Sequence, residues 1–407
     1  MRPALIGIIR TALGCGTADG FFVERRLRLC AVGAVLGYAV ILTLFQAHRL
    51  QVPGGACIDF DWIWLSSKFA LSGALVEAYN NSGFWTVWLP QCHMEHVVYP
   101  PTLFVFTGSL GALPYWLAYT TWVAATLAVF AAAVYAILPS WVAVAAAASA
   151  FPAFYNASLG HNGFLTAGLF GLALAFMERR PWLSGFFLGL LTFKPQLGIL
   201  FPIALLASRN WRVLLSAIVT GSAFAVAAAA AFGWQSWIAF TGTLAQRASS
   251  MSDHAWANVS MVSIFGFLRV VGVGASAAWA IQLVIAIMIG AVVFVLWARP
   301  ISYSLKAAAL GFGTLLASPH IQGYDICLVS VAVAFLVKDG LDRGFLRGER
   351  GIMLACWFAL FLLAGPIPAL VCAVLLALVF RRVLLPRQPN AGAIEPLETI
   401  RRRQIAG

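Results

Sequence analysis

Residues 179–212 read RRPWLSGFFLGLLTFKPQLGILFPIALLASRNWR. The apolar stretch Trp182–Ala207 is interrupted by Lys194-Pro195-Gln196 and bracketed by Arg179-Arg180 and by Arg209 and Arg212. As one helix it would put Arg on both faces of a membrane and a Lys midway, against the bias of basic residues to one side. As two short helices it forms a hairpin, with both Arg ends on the cytoplasmic side and Lys194 at the outward tip. The stretch therefore predicts a helical membrane hairpin that carries a cation to the outer face.

The rest of the chain agrees. Hydrophobic residues are 62% of 407 and charged residues only 10%, against about a quarter in soluble domains. Apolar runs of roughly 17–25 residues recur, the length that spans a bilayer as a helix. They are continuous and lack the two-residue alternation of a barrel strand, so helices are the expected way to satisfy the backbone in lipid. The net charge of +12 lies in short loops between the runs, as the positive-inside rule expects. No basic stripe with interleaved aromatics points to nucleic acid as a partner.

Residues 1–28 read as a cytoplasmic N-terminal segment without a cleavage pattern, because Arg25, Arg26 and Arg28 lead into a first span near Leu29–Phe45. Residues 29–382 form the membrane domain, and residues 383–407 a basic cytoplasmic tail expected to be disordered. Basic clusters at Arg179-Arg180, Arg209–Arg212, Arg299, Lys338–Arg350 and Arg381-Arg382 mark inner ends. They leave a Trp-rich loop at about residues 50–100 and a second loop at about 234–258 outside. Thr102–Leu113 is too short to span and reads as re-entrant or interfacial. The fold class is an all-α polytopic membrane protein with about 12 spans. No internal repeat of the transporter kind is visible.

Of seven cysteines, five lie in or beside apolar runs. Cys57 and Cys92 share the first outer loop, where a disulfide between them and two free thiols are both open. No zinc-type Cys/His spacing occurs.

Ionisable groups gather at the outer helix ends: Asp59 and Asp61, His161-Asn162, Lys194 and Gln196, and His320 with Tyr324-Asp325, beside Tyr99. Charges at membrane depth are functional candidates because burying them is unfavourable. Each has a plainer reading taken alone. Asp59 or Asp61 is equally a helix N-cap, Lys194 a snorkelling cation, His320 a structural histidine, Asp325 a cap, and Tyr99-Pro100-Pro101 a turn. Their convergence on one face is what suggests a cavity handling a polar substrate beside lipid.

Six motifs in order then resemble a known family. Asp59-Phe60-Asp61-Trp62-Ile63-Trp64 resembles the opening of glycosyltransferase family 87, bacterial polyprenyl-phosphate-sugar-dependent transferases. Tyr99-Pro100-Pro101 with Leu113-Pro114-Tyr115 is similar to its YPP…LP segment. Gly160-His161-Asn162-Gly163 is similar to its GQN element, with His161 where Gln is usual. Phe193-Lys194-Pro195-Gln196, Ser260–Gly266 with Arg269, and Ser318-Pro319-His320 with Tyr324-Asp325 complete the set, over about residues 55–340.

The resemblance implies a GT-C-type glycosyltransferase fold in a bacterial inner membrane, with termini cytoplasmic and the active site outside. It implies a polyprenyl-phosphate donor, mannose as the sugar, and a glycolipid, glycan or protein acceptor. A carboxylate of the first outer loop serves as base, which falls on Asp59 with Asp61 second. Lys194 and His320 are the expected partners of the leaving phosphate, with Arg269 a further cation. Tyr99, His161, Asn162, Gln196, Tyr324 and Asp325 are the expected substrate-binding residues. No cofactor is expected, and a divalent metal between Asp59 and Asp61 is not favoured. A lipid-linked-sugar transporter is the alternative reading of the same charges; it would move its substrate unchanged.

Overall fold

A computed structural model of the chain describes residues 32–33, 36–47, 57–80, 97–253 and 260–385. The described residues fold into helices, with one isolated antiparallel bridge between Met261 and Gln322.

Three helices form the centre: α8 (Gly163–Phe176), α15 (Tyr303–Ala317) and α16 (Cys327–Arg343). Every residue from Gly163 to Leu174 is buried, and so are thirteen of the fifteen in α15. Small residues permit this density. A Cβ on Gly311 would come within 2.8 Å of the Ala332 Cβ, and one on Gly168 within 2.8 Å of Val129.

Around the centre lie α5 (Tyr115–Ile137), α11 (Trp211–Phe232), α14 (Ala275–Ala298) and α18 (Ile367–Leu384). These four are long and apolar enough to cross a membrane, and the bent pair α6 (Trp141–Ala148) and α7 (Phe151–Leu159) makes a fifth if it acts as one span. Their outer faces carry exposed apolar side chains, such as Leu283, Val284, Ile287 and Met288 of α14. A soluble monomer rarely exposes so continuous an apolar surface, and here it is the surface that faces lipid.

The expected 12 spans are not shown by the described residues. Shorter apolar helices of 10–17 described residues are Leu36–Ala47 (α1), Thr102–Ala112, Gly163–Phe176, Pro181–Phe193 and Pro195–Ala207. Pro114, Gly160 and Lys194-Pro195 stand at the ends of the last four.

The hairpin is present in outline. Helix α9 (Pro181–Leu190) runs out, 3-10 turns at Leu191–Phe193 and Pro195–Leu197 flank Lys194, and α10 (Phe201–Ala207) returns. Direction is fixed by α11. Ser216 Oγ donates to the Trp182 carbonyl at 2.7 Å, while Gly189 faces Ala217, Thr220 and Gly221. Partners advance in the same sense, so α9 and α11 are parallel, and the intervening chain must come back. A Cβ on Gly189 would lie 2.5 Å from the Thr220 Cβ, so this close approach needs glycine.

Within the Trp-rich stretch at about residues 50–100, where short helices at the outer face are expected, residues 57–80 carry two helices, α2 (Asp59–Leu71) and α3 (Leu75–Asn80). Helix α2 is sunk into the protein, with Phe60, Ile63 and Ser66 wholly buried. Its floor is the short α4 (Thr102–Thr107) and the 3-10 segment Gly108–Ala112; a Cβ on Gly111 would lie 2.6 Å from the Ser67 carbonyl. The stretch expected as the second outer loop carries a helix, α12 (Gln235–Asp253). Its sequence mixes Ser, Thr, Gln and Arg with apolar residues, too polar to span but free of proline, with Gly242 its one glycine. Residues 254–258 of that loop lie outside the described residues. Helix α13 (Ile264–Val270) precedes α14, and α17 (Glu349–Ala359) precedes α18.

Opposite the hairpin tip, Arg382 donates to Glu349 Oε1 at 2.7 Å and Oε2 at 2.6 Å, and to Asp339 Oδ2 at 2.7 Å. This cluster ties α16, α17 and α18 together. The expected basic inner ends 338–350 and 381–382 are thus one structure. With 17 residues in α16 at about 1.5 Å each, it stands roughly 25 Å from Asp325 at the other end.

Cys57 is disulfide-bonded; Cys92 lies outside the described residues. Cys327, Cys356 and Cys372 are free and buried.

Candidate active site

Two carboxylates open α2, and their surroundings differ. Asp61 is 5% exposed; its Oδ2 accepts the Ile58 N–H at 3.0 Å and its Oδ1 the Tyr115 hydroxyl at 2.6 Å. It satisfies a helix N-terminus from the third position, as the acidic half of a capping box does. Asp59 keeps 30% of its side chain exposed, and its Oδ2 lies 4.0 Å from His161 Nε2. The Trp62 indole N–H hydrogen-bonds to it. Asp59 is the first residue of α2 and lies outside the spanning helices. Burial pushes its carboxyl up to about 6, offset in part by the Lys194 charge and reinforced by Asp61.

His161 and Asn162 occupy the break between α7 and α8. The chain turns there because Gly160 is left-handed (φ 61°) and lies against Phe60, where a Cβ would come within 2.6 Å of the Phe60 Cβ. Trp122 Nε1 donates to the Gly160 carbonyl at 3.0 Å, and Asn156 Oδ1 accepts the Gly163 N–H at 2.8 Å. The His161 ring is thereby fixed. Its Nδ1 accepts the Asn162 N–H at 2.8 Å, which assigns the ring proton to Nε2. That nitrogen faces Asp59 at 4.0 Å and the Tyr99 hydroxyl at 3.5 Å. The ring stacks on Tyr324 with centroids 3.6 Å apart. Burial, then the Lys194 charge, hold the imidazole well below its usual range, so it is a neutral donor.

Lys194, 1% exposed, sits at the hairpin tip. Its Nζ donates to Asp325 Oδ1 at 2.5 Å and Asn162 Oδ1 at 3.1 Å, and lies 4.6 Å from the Tyr324 ring centroid. Asp325 uses its other oxygen to accept the Gln322 N–H at 3.1 Å, capping the 3-10 turn Gly323–Ile326. A Cβ on Gly163 would meet the Tyr324 carbonyl at 2.2 Å, so the two breaks touch backbone to backbone.

Tyr99 fills the middle. Its ring stacks on Trp62 at 5.3 Å, and its carbonyl accepts the Tyr79 hydroxyl at 2.6 Å. Thus Asp59, Tyr99, His161, Asn162, Lys194, Tyr324 and Asp325, drawn from five separate stretches, form one cluster. Asn162 Nδ2 is buried there without a hydrogen-bond partner, a donor left over for a ligand.

The other expected residues stand further out. His320 is half-buried; its segment is held by the Ser263 hydroxyl donating to the Pro319 carbonyl at 2.5 Å and the Val262 N–H to the Ile321 carbonyl at 2.9 Å. This is the local task of the Ser260–Gly266 motif. Burial, then the charges of Arg247 and Lys194, push the His320 imidazole down to about 3, so it donates a hydrogen bond rather than a charge. Gln196 is half-buried beside Lys194. Arg269 donates to the Val273 carbonyl at 2.7 Å, closing the turn after its own helix.

Two residues escaped the sequence reading. Arg247 of α12 acts on His320; a lone Arg on the face opposite the basic clusters was the signal for it. Tyr155 feels the charge of Asp59 and packs on Gly323, 2.8 Å from where a Cβ would be; within an apolar run it carried no signal. Among the described residues no three His, Cys, Asp or Glu side chains group as a metal site.

A partly exposed carboxylate of raised basicity, beside fixed neutral donors and a buried cation, can take a proton from a hydroxyl and meet an anion close by. No curated protein and no solved structure matches the chain. A family model does match, over residues 97–319, and its description is glycosyltransferase family 87. The match takes in Tyr99, His161, Asn162, Lys194, Gln196 and Arg269, and leaves Asp59, His320, Tyr324 and Asp325 on its flanks. It covers more than half of the 407 residues, and the chain therefore belongs to glycosyltransferase family 87.

Proposed function

We propose that this glycosyltransferase moves a sugar, mannose by family resemblance, from a polyprenyl-phosphate donor to an acceptor hydroxyl. The reaction takes place at the outer face of a bacterial inner membrane, within a GT-C-type fold. Asp59 takes the acceptor proton as the acceptor oxygen bonds to the anomeric carbon. The bond from that carbon to the phosphate oxygen breaks on the opposite side, and polyprenyl phosphate leaves with the extra negative charge. One displacement inverts the anomeric centre. No acid is needed for a phosphate leaving group, unlike the carboxyl pair of a hydrolase.

The observation that carries the reading is the contrast between the carboxylates. Asp61 and Asp325 are buried and committed to backbone N–H groups and to Tyr115 or Lys194. Asp59 is partly exposed, and its carboxyl is raised to about 6. It is basic enough to accept a proton and still ionised at neutral pH. Lys194, His320 and Arg247 are the groups proposed to meet the phosphate, the first and last by charge and His320 by a neutral N–H. Side chains suffice for this role, and no metal is invoked.

The test is to supply the nanodisc-embedded protein with a panel of polyprenyl-phosphate sugars and membrane extract, and to follow free polyprenyl phosphate. One donor should be consumed, and Asp59→Asn should release at least about a hundredfold less while retaining donor binding. Wild-type rates in Asp59→Asn would remove Asp59 as base. Transport of an intact donor with no new glycosidic bond would replace the transferase reading.

A further inference from the structure

Between α3 and α12 lies an open cavity of about 450 Å³ that the reaction centre does not use. On α12 its wall includes Gln235, Ile238, Gly242 and Gln246, spaced at three, four and four residues, hence one helix face. On α3 it includes Tyr79 and Asn80. The Tyr79 hydroxyl donates to the Tyr99 carbonyl at 2.6 Å, and the Tyr99 hydroxyl is 3.5 Å from His161 Nε2. One buried side chain therefore separates this cavity from the catalytic cluster.

Its chemistry is distinct from that cluster. None of the described residues lining it is charged, so nothing in its wall neutralises a phosphate. Three primary amides, at Asn80, Gln235 and Gln246, offer paired donors and acceptors. Gln235 and Gln246 stand about 16 Å apart along the helix. Between them on the same face lie Ile238 and Gly242; a Cβ on Gly242 would meet nothing within 4 Å. Neutral amides alternating with apolar wall suit a molecule with many hydroxyls and C–H faces and no charge.

We infer that the cavity between α3 and α12 is a subsite for an uncharged glycan, the non-reacting part of the acceptor. The acceptor role rests on the proposed transferase reading; glycan binding itself does not. An isoprenoid chain is the poorer occupant, because it would leave the amides facing hydrocarbon without partners.

The wall supplies its own test. Gly242→Leu projects a side chain into open space and replaces a helical Gly with a better helix former, so it fills the cavity without disturbing the fold. Saturation-transfer NMR on nanodisc-embedded protein, with methyl α-mannopyranoside, a mannobiose and mannose 6-phosphate as probes, reads occupancy. Transfer from the polyprenyl-phosphate donor to membrane extract is followed in parallel. The mannobiose should bind wild type and bind Gly242→Leu and Gln246→Leu at least tenfold more weakly, with mannose 6-phosphate inert. The acceptor concentration for half-maximal transfer should rise at least tenfold while the donor KM stays put. Mannobiose binding equal in wild type and Gly242→Leu, or none to wild type, overturns the subsite. Mannobiose binding lost in Gly242→Leu, with no donor consumed by wild type, keeps the glycan site and overturns the transferase reading instead.

Discussion

Replacing Lys194 by Met separates what the hairpin tip does for the fold from what it does for the reaction. The ammonium and the Asp325 carboxylate are 1% and 0% exposed and 2.5 Å apart. Removing one partner of such a pair leaves the other buried and uncompensated, a loss of about 3–5 kcal/mol. Asp325 keeps its bond from the Gln322 N–H, which places the expected loss at the lower end, about 3 kcal/mol. Asp325→Asn in the same background removes the orphaned charge, and the double variant should recover most of that stability, since neutral replacements of buried pairs are often tolerated. Activity should not follow. If the Lys194 charge assists the departing phosphate, both variants should lose about a hundred- to a thousandfold in turnover, as when a positioned donor to developing charge is removed. Thermal unfolding in nanodiscs, read by tryptophan fluorescence, gives the first quantity, and polyprenyl phosphate release gives the second. A double variant working within about threefold of wild type would confine Lys194 to the fold. A single variant as stable as wild type would refute the energetics assigned to the pair.

Three further outcomes follow from the same geometry. Because kcat/KM reports groups of the free enzyme and Asp59 in that state is raised to about 6, the rate should be level above that pH. It should fall about tenfold per unit below it as the base becomes protonated; a profile flat to pH 4.5 would refute the assignment. His161→Phe keeps the stack on Tyr324 and removes the Nε2 donor that faces Asp59, so the acid limb should move up by roughly half a unit. His161→Gln, which restores a donor, should leave the limb near its wild-type position; equal profiles in both variants would remove His161 from control of the base. Arg382→Met leaves Asp339 with only the exposed Arg343 at 3.4 Å and Glu349 with only the Leu346 N–H; both are buried, so it should cost about 3 kcal/mol of stability with turnover per folded molecule unchanged. Lost turnover at unchanged melting would point instead to coupling along α16.

What sequence reading could reach depended on which physical signal each residue carried. Lys194 was legible because Arg180 and Arg209 bracket its apolar run, and sidedness then forces a hairpin; the parallel pairing of α9 with α11 has that shape. The gathering of Tyr99, His161, Asn162, Lys194 and Asp325 could be suspected from their positions at helix ends. Their pairing could not, because the Lys194–Asp325 contact joins residues 131 apart and depends on which helices pack together. Asp59 and Asp61 could not be separated by type or spacing. Their difference lies in one backbone N–H and one Tyr115 hydroxyl that Asp61 meets and Asp59 does not. Hydropathy alone does not fix the span count, for a similar reason. Hydropathy registers an apolar run whether or not a glycine or proline bends it, as at the 62° break between α6 and α7. The helical character of α12 was also hidden, since a polar stretch between apolar runs reads as a loop until its one-sided cavity wall is seen.

The separation of 131 residues between Lys194 and Asp325 has a consequence for biosynthesis. Helices enter the bilayer in order as the ribosome delivers them, so the hairpin tip arrives while its counter-charge is still unmade. Until residues 323–326 emerge and dock on α8, the lysine must be tolerated by water, by lipid headgroups or by a chaperone at the insertion machinery. Chains truncated before Asp325 should therefore be poor substrates for stable insertion and prone to membrane proteolysis, whereas Lys194→Met should relieve that burden in the truncated chain even as it weakens the finished one.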